Sequence, residues 1–194
     1  MTIVLTPERE VEQEHYWINR LLEHGLECCH IRKYDLDEKG MRDYIDKISP
    51  CYRKQLVLHS HFHLAGEYGM TRVHFSEKAR IDECHLTFQD NYLCSTSVHT
   101  MTDFNALGPE WSYAFLSPVY PSISKSGYGE GRGMLCEFPA KQNSQVKLIA
   151  LGGIHPQNYR DACSAGADGI ALMGAVWQND NPLTVFLKCR KRDR

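Results

Sequence analysis

A single histidine near the middle of the chain, His99, is the residue best suited to carry a proton. It lies two residues after Ser97, at the end of a short apolar segment, and directly before Thr100–Asp103, a run typical of a helix start. Imidazole gains and loses a proton near neutral pH and is the usual group for acid–base catalysis. A histidine here can also simply pack at or cap a helix start, so both interpretations stay open.

Two apolar segments that end in glycine, in the C-terminal third, form the pattern of a phosphate site. The first is Val146–Ile154, and the second, Ala165–Gly174, follows at the spacing of one helix. Glycine lets backbone N–H groups approach an anion, and the next helix N-terminus adds the positive end of its dipole. We therefore expect Gly152, Gly153 and the Met173-Gly174 backbone to bind the phosphate of a small molecule.

The loop before these glycines offers further groups to a phosphate. Ser122, Ser124 and Lys125 follow Pro121, and alternate glycines then run through residues 127–133. Hydroxyl and ammonium groups bind phosphate well, and the glycine-rich stretch suits a lid over a site. The same composition is also typical of a solvated loop without function.

The run His59-Ser-His61-Phe-His63 raises the question of a metal site. On an extended strand, residues two apart share a face, so three imidazoles could converge on zinc. The pattern also resembles metal-dependent amidohydrolases, but those enzymes need further histidines and a carboxylate at other strand ends. Asp168 lies at the wrong end of its strand to supply one. We therefore predict no metal in this cluster, and a metal-dependent hydrolase remains a weak alternative.

The elements that must position these residues alternate between short strands and helices. Predicted strands cover Ile3–Leu5, Glu27–Arg32, Gln55–His59, Arg72–Phe75, Tyr92–Ser95, Tyr113–Leu116 and the two segments that end in glycine. Predicted helices cover Thr6–Glu23, Glu38–Ile48, Phe62–Tyr68, Thr102–Leu107, Pro156–Ala165 and Pro182–Arg190. This order predicts an α/β fold with a parallel sheet, closed into a (β/α)8 TIM barrel that has no sheet edges. We predict one barrel domain over residues 1–194, with an open doubly wound sheet as the alternative.

Composition excludes several classes of function. The net charge is −2 and the isoelectric point is near 6.5, so no broad surface attracts nucleic acid or an acidic membrane. No apolar run is long enough to cross a membrane, and the N-terminus does not resemble a signal peptide. The eight cysteines include no Cys-x-x-Cys pair and are predicted to be reduced core residues. We expect a cytoplasmic protein.

In five segments the chain resembles the thiamine phosphate synthase/TenI family of barrels. The matching segments, in order, are Ser97-Val-His99, Ser117–Lys125, Gly129–Gly133, Leu151–Ile154 and Gly166–Ala171. The resemblance implies that a thiazole substrate and its phosphate are the small-molecule partner. It assigns their binding to Ser122, Ser124, Lys125, Gly152, Gly153 and the Met173-Gly174 backbone.

The chain departs from the synthase branch of this family after strands 2, 3 and 4. The synthase pattern there is Gln-x-Arg-x-Lys, Asn-Asp and Gly-Gln-x-Asp, whereas this chain has His30-Ile-Arg32-Lys-Tyr34, His59-Ser60 and Ser76-Glu-Lys-Ala79. Arg32 is retained as a candidate for substrate binding. The two carboxylates that the resemblance assigns to Mg²⁺ are absent at positions 60 and 79, and Mg²⁺ prefers hard oxygen ligands. Glu77 is the one neighbour that could shift into this role.

These departures favour the TenI branch, and the resemblance then implies a thiazole tautomerase. Such an enzyme moves a proton so that the ring of a carboxythiazole phosphate becomes aromatic, with His99 as the acid–base group and Ser97 orienting the ring. This reaction needs no cofactor. One alternative is a thiamine-phosphate synthase that joins hydroxymethylpyrimidine diphosphate to thiazole phosphate with Mg²⁺. Another is a non-catalytic regulator that binds thiazole phosphate. Barrels of this family commonly pair, so a homodimer is one expected assembly.

Overall fold

The computed structural model describes residues 1–121 and 134–190, and its strands form a closed parallel barrel. The strands are β1 Thr2–Leu5, β2 Cys28–Ile31, β3 Leu56–Leu58, β4 Arg72–Phe75, β5 Leu93–Val98, β6 Trp111–Leu116, β7 Lys147–Ala150 and β8 Gly169–Leu172. Each strand pairs in parallel with the next, and β8 closes the barrel on β1 with Ile3 opposite Ala171. The prediction of a (β/α)8 TIM barrel is confirmed, and the open doubly wound alternative is wrong.

Helices follow most strands. They are α1 Glu14–Glu23, α2 Glu38–Asp46, α3 His63–Glu67, α4 Glu77–Ile81, α5 Met101–Asn105, α6 Tyr159–Ala165, α7 Gly174–Trp177 and α8 Pro182–Cys189, with 3₁₀ helices at Pro50–Gln55 and Met134–Ala140. Within the two described ranges, no helix combines the length and the apolar character needed to span a bilayer.

The strands bury both faces, because successive side chains point alternately into the barrel and towards the helices. Neighbouring cysteines illustrate this alternation: Cys28 packs inside the barrel with Ile3 and Leu5, whereas Cys29 packs among the side chains outside it. None of the eight cysteines forms a disulfide. Only half of them are buried, and Cys51, Cys84 and Cys136 are exposed, so the prediction of core cysteines is correct for part of the set.

The first helix begins later than the sequence predicts. A cap at Thr6 is expected, but α1 starts at Glu14. The Thr6 hydroxyl instead accepts a hydrogen bond from the Arg32 N–H at 2.8 Å. The Glu14 carboxylate turns into the core, where its Oε1 lies 2.9 Å from Lys33 Nζ. These two contacts with the segment after β2 replace the local capping interaction that a helix from Thr6 would need.

Two differences from the predicted elements affect the functional rim. Strand β5 extends to Val98, so Ser97 lies inside the strand. Helix α4 occupies a segment for which the sequence predicts neither a strand nor a helix, and the Ser76 hydroxyl caps it by accepting from the Ala79 N–H at 3.2 Å. This short helix carries Glu77 to the rim of the barrel.

Candidate functional site

A pocket of about 390 Å³ opens at the C-terminal ends of the strands. Every strand end contributes to its lining, which comprises Leu5, Arg32, Tyr34, His59, His74, Ser76, Ser97, His99, Phe115, Ser117, Pro118, Leu151, Gly152 and Met173, together with Glu77 and Lys78 of α4. The structure therefore brings five predicted site residues to one pocket: Arg32, Ser97, His99, Gly152 and Met173. Gly153 and Gly174 are their chain neighbours. Ser122, Ser124, Lys125 and the predicted lid at 127–133 lie outside the described residues.

His99 lies just beyond β5, with its ring held in one orientation. Its Nδ1 is 2.7 Å from the carbonyl oxygen of Ser117. Because a carbonyl oxygen only accepts, Nδ1 carries the proton, and the lone pair of the neutral ring is on Nε2. Nε2 lies 3.9 Å from Oε2 of Glu77. The nitrogen that can exchange a proton is therefore placed beside a carboxylate at the rim of the pocket.

Arg32 and Met173 come from distant parts of the chain and meet at the pocket. One guanidinium nitrogen of Arg32 lies 3.8 Å from the Met173 sulfur, and the other pairs with Glu8. The guanidinium carbon is 5.7 Å from the centre of the Tyr34 ring. An oriented guanidinium group beside the Met173 side chain is well suited to a phosphate, which would share it with Glu8.

Close packing leaves no room for a side chain at the two glycines after β7. Gly152 and Gly153 have φ angles of 98° and 63°, in the region that favours glycine. A Cβ on Gly152 would lie 2.9 Å from Pro118 Cα, and one on Gly153 would lie 2.3 Å from the Pro121 carbonyl oxygen. The segment after β6 thus crosses directly over these glycines. Their proposed contact with phosphate is additional to this close packing.

Three buried histidines lie together at the base of the pocket: His59 after β3 and His74 in β4 line it, and His30 in β2 lies beside them. Burial, and then the nearby Arg32 charge, lowers the pKa of His74 to about 3. Burial, and then the proximity of His74, also holds the pKa values of His30 and His59 well below the usual range. All three rings are therefore uncharged at neutral pH.

The histidine run 59–63 does not converge as the zinc alternative requires. β3 ends at Leu58, and His61 has a left-handed backbone with φ of 52°, so the alternation of an extended strand is lost. His61 Nδ1 lies 3.1 Å from the Ser60 hydroxyl. His63 Nε2 lies 3.2 Å from a Glu38 carboxylate oxygen at the surface. The alternative of a zinc site made of these three histidines is wrong, because only His59 points into the barrel.

The side chains around the pocket do not supply the ligands of a Mg²⁺ site, which the resemblance assigns to the synthase branch of the family. Mg²⁺ requires near-octahedral oxygen ligands. Among the described lining residues Glu77 is the one carboxylate, and its oxygens face His99 and Arg80. Ala79 offers no side-chain oxygen, and the Ser60 hydroxyl bonds to His61.

The sequence patterns do not indicate His30, His74 and Tyr34 as site residues. The signal that could have found them is the alternation along each strand. His30 lies two residues after Cys28, and His74 lies two after Arg72, so both face the barrel interior near its C-terminal end. Their convergence, however, depends on the register between strands.

Comparison with known families decides what kind of barrel this is. A sequence model described as thiamine monophosphate synthase matches residues 2–176. The chain belongs to the thiamine monophosphate synthase family. The family predicted from the five motif segments is thereby confirmed, although the TenI branch within it is not singled out.

Proteins that are similar to this chain in sequence or structure carry names that agree with this family. The putative thiamine-phosphate synthase of Geobacter sulfurreducens is 25% identical over 180 residues, which cover 87% of this chain and 84% of the relative. The thiamine-phosphate synthase of Leptospira biflexa is 32% identical over 101 residues, only 50% of this chain and 48% of the relative. The thiamine phosphate pyrophosphorylase of Pyrococcus furiosus is 18% identical with a TM-score of 0.77, covering 97% of this chain and 92% of that one. This last likeness concerns the fold.

Proposed function

We propose that this member of the thiamine monophosphate synthase family is a thiazole tautomerase that binds a thiazole phosphate in the pocket. The observation that carries the proposal is the orientation of His99. Its Nδ1–H donates to the Ser117 carbonyl at 2.7 Å, which leaves Nε2 as the proton-exchanging nitrogen. A positioned imidazole of this kind is suited to general acid–base catalysis.

The proposed reaction is an isomerisation of the ring. His99 Nε2 takes a proton from a ring carbon of the carboxythiazole phosphate, and the electron pair of the broken C–H bond enters the ring. A proton is then returned at a second position, so the ring becomes aromatic and no atom is gained or lost. The Glu77 carboxylate, 3.9 Å from Nε2, stabilises the imidazolium while it exists.

The phosphate is assigned to the rim formed by the ends of β7 and β8. Gly152 and Met173 line the pocket, and Arg32 supplies the positive charge next to Met173. Gly153 and Gly174 extend the same backbone surface. Ser97 lies in the pocket wall, where its hydroxyl is 3.1 Å from His74 Nε2, and is proposed to orient the ring. Ser122, Ser124 and Lys125 are assigned to the phosphate by family resemblance alone.

The substitution His99→Asn tests the proposal. Loss of a general acid–base group should lower the rate of carboxythiazole phosphate isomerisation by about 10²–10⁴-fold, with thiazole phosphate binding retained in calorimetry. His63→Asn, at an exposed histidine paired with Glu38, serves as the matched control and should leave the rate unchanged. Equal rates for His99→Asn and the unaltered protein would remove His99 from the mechanism.

A second candidate is a thiamine-phosphate synthase, which the names of the relatives favour over a tautomerase. It would join hydroxymethylpyrimidine diphosphate to thiazole phosphate and release pyrophosphate. The poor fit of the described pocket residues to Mg²⁺ counts against it. Incubation with both substrates and Mg²⁺ separates the two candidates. Mg²⁺-dependent formation of thiamine phosphate would establish the synthase, and binding of thiazole phosphate without turnover of either kind would indicate a regulator.

A further inference from the structure

Three imidazoles from adjacent strands converge beneath the pocket, and the proposed reaction does not use them. They belong to His30, His59 and His74, and one nitrogen of each lies within 4.8 Å of the other two. Their exposed fractions are 0%, 8% and 2%, so the cluster is shielded from bulk water. His59 and His74 nevertheless line the pocket, which provides a route by which a small ion can reach them.

His30 and His59 face each other directly. His30 Nδ1 and His59 Nε2 are 2.9 Å apart. On the far side of each ring, a tyrosine hydroxyl is in contact: Tyr113 with His30 Nε2 at 2.7 Å, and Tyr34 with His59 Nδ1 at 3.2 Å. A hydroxyl can accept the proton of either far nitrogen. At 2.9 Å one of the two facing nitrogens donates a hydrogen bond to the other. Transfer of that proton to the far nitrogen of its ring lets both facing nitrogens present lone pairs to a bound cation.

Both ring nitrogens of His74 lie beside serine hydroxyls. Ser95 Oγ is 2.9 Å from Nδ1 and 3.3 Å from the Val73 carbonyl oxygen, and Ser97 Oγ is 3.1 Å from Nε2 at the pocket. With the Ser95 hydroxyl donating to the Val73 carbonyl, Nδ1–H donates to Ser95 and the lone pair of the ring is on Nε2. In this tautomer each of the three rings can offer one unprotonated nitrogen, the atom through which neutral histidine binds metals.

We propose that His30 Nδ1, His59 Nε2 and His74 Nε2 bind a divalent transition-metal ion such as Zn²⁺. Three histidines with one further position open to a cavity are the donor set of a catalytic zinc. Zn–N bonds of about 2.0–2.1 Å place tetrahedral ligand nitrogens about 3.3 Å apart. The His30–His59 contact must therefore widen by about 0.4 Å, and nitrogens of the cluster that are up to 4.8 Å apart must approach by as much as about 1.5 Å. The hydroxyls of Tyr113, Tyr34 and Ser95 bind the outer ring nitrogens, as the partners of metal-bound histidines usually do.

The fourth position of such an ion faces the pocket. Nitrogen donors favour Zn²⁺ and its neighbours in the first transition row over Mg²⁺, which prefers oxygen. The open position would take water or a carboxylate of a molecule bound in the pocket. Neither His99 nor Glu77 belongs to this donor set, so a failure to bind metal would leave the proposed acid–base group unaffected.

Titration of metal-stripped, full-length protein with Co²⁺ tests the site, because tetrahedral Co²⁺ absorbs visible light. We expect one equivalent per chain to bind with a visible spectrum, to be displaced by Zn²⁺ and to resist Mg²⁺. His59→Asn should weaken binding more than about 100-fold, since loss of an outer partner alone costs about 10–100-fold. His63→Asn, which changes an exposed histidine of the same run, is the matched control and should bind like the unaltered protein.

A second variant distinguishes loss of metal binding from a general folding defect. Tyr34→Phe removes one hydroxyl from a side chain that is 45% exposed and should weaken Co²⁺ binding by about 10–100-fold, with the circular dichroism spectrum unchanged. Failure of the folded protein to bind one equivalent of Co²⁺ or Zn²⁺ would overturn the proposal. So would equal affinity for the His59→Asn variant and the unaltered protein.

Discussion

At the scale of single residues, one group beside His99 orients its ring and another lies near the nitrogen that exchanges the proton. Its ring orientation comes from the Ser117 carbonyl, a backbone group that a side-chain substitution elsewhere does not remove. Glu77 is different, because it approaches Nε2 only to 3.9 Å, and the side chains of His99 and Glu77 are 40% and 34% exposed. The carboxylate therefore acts as an electrostatic partner of the imidazolium in the proposed reaction, and His99 itself exchanges the proton.

The substitution Glu77→Gln should lower the isomerisation rate by only about 1.4- to 5-fold, because a partly exposed ion pair contributes about 0.2–1 kcal/mol. Steady-state kinetics should assign this loss to kcat, with KM for the thiazole phosphate nearly unchanged. Glu12→Gln, at an exposed position before α1, is the control. A loss as large as that of His99→Asn would instead make Glu77 the group that exchanges the proton.

Two residue identities mark where the chain departs from the synthase pattern that it resembles. His30 and His59 stand where the resembling synthase pattern has Gln and Asn. Both replacements point into the same space beside His74, and the structure places their facing nitrogens 2.9 Å apart. The sequence shows each replacement, but it does not show that the two form one cluster.

At the scale of elements, a buried ion pair sets the start of α1 and holds the segment that carries Arg32. Lys33 Nζ lies 2.9 Å from Glu14 Oε1, with side chains exposed by only 2% and 0%. Lys33 also donates to the Pro7 carbonyl at 2.7 Å, and the Tyr44 hydroxyl of α2 donates to Glu14. Burial, and then the Glu14 charge, raises the pKa of Tyr44 well above its usual range, so this hydroxyl keeps its proton.

The substitution Lys33→Met should lower the free energy of unfolding by about 3–5 kcal/mol, because it leaves the Glu14 carboxylate buried without its cation. Urea denaturation followed by circular dichroism measures the loss. The double variant Lys33→Met/Glu14→Leu should recover much of the stability, since an apolar pair can replace a buried ion pair. If the double variant is no more stable than the single one, packing of the lysine stem rather than charge explains the effect.

Elements were predictable from sequence where local signals dominate. The Asp37 side chain caps α2, and the predicted and observed first residues of that helix agree. The start of α1 was not predictable, because the partner of Glu14 is Lys33, beyond β2. The helix α4 is absent from the predicted elements, although the Ser76 side chain caps it.

At the scale of the whole molecule, closure of the barrel depends on close contact between its first and last strands. The Ile170 N–H donates to the Met1 carbonyl at 3.0 Å. A Cβ on the neighbouring Gly169 would lie 2.6 Å from the same carbonyl oxygen and 2.8 Å from Ile149 Cδ1. Any side chain at position 169 would therefore push β1 away from β8 at the N-terminal end of the barrel.

The substitution Gly169→Ala should lower the free energy of unfolding by about 1–3 kcal/mol, the usual effect of one extra group in a tightly packed core. Thermal unfolding should show a lower Tm. Ser164→Ala, at an exposed position of α6, serves as the control. An unchanged Tm for Gly169→Ala would mean that β1 and β8 adjust without loss.

The sequence by itself determined the barrel and most of its rim. Strand and helix patterns are local, and in a parallel barrel the C-terminal ends of all strands meet at one rim, so residues at predicted strand ends, such as Arg32, His99 and Gly152, could be placed together without coordinates. Only the tertiary structure decided that His30, His59 and His74 share one space and that His61 and His63 do not. Such convergence depends on the register between strands and on where each strand stops, and both follow from packing between distant segments.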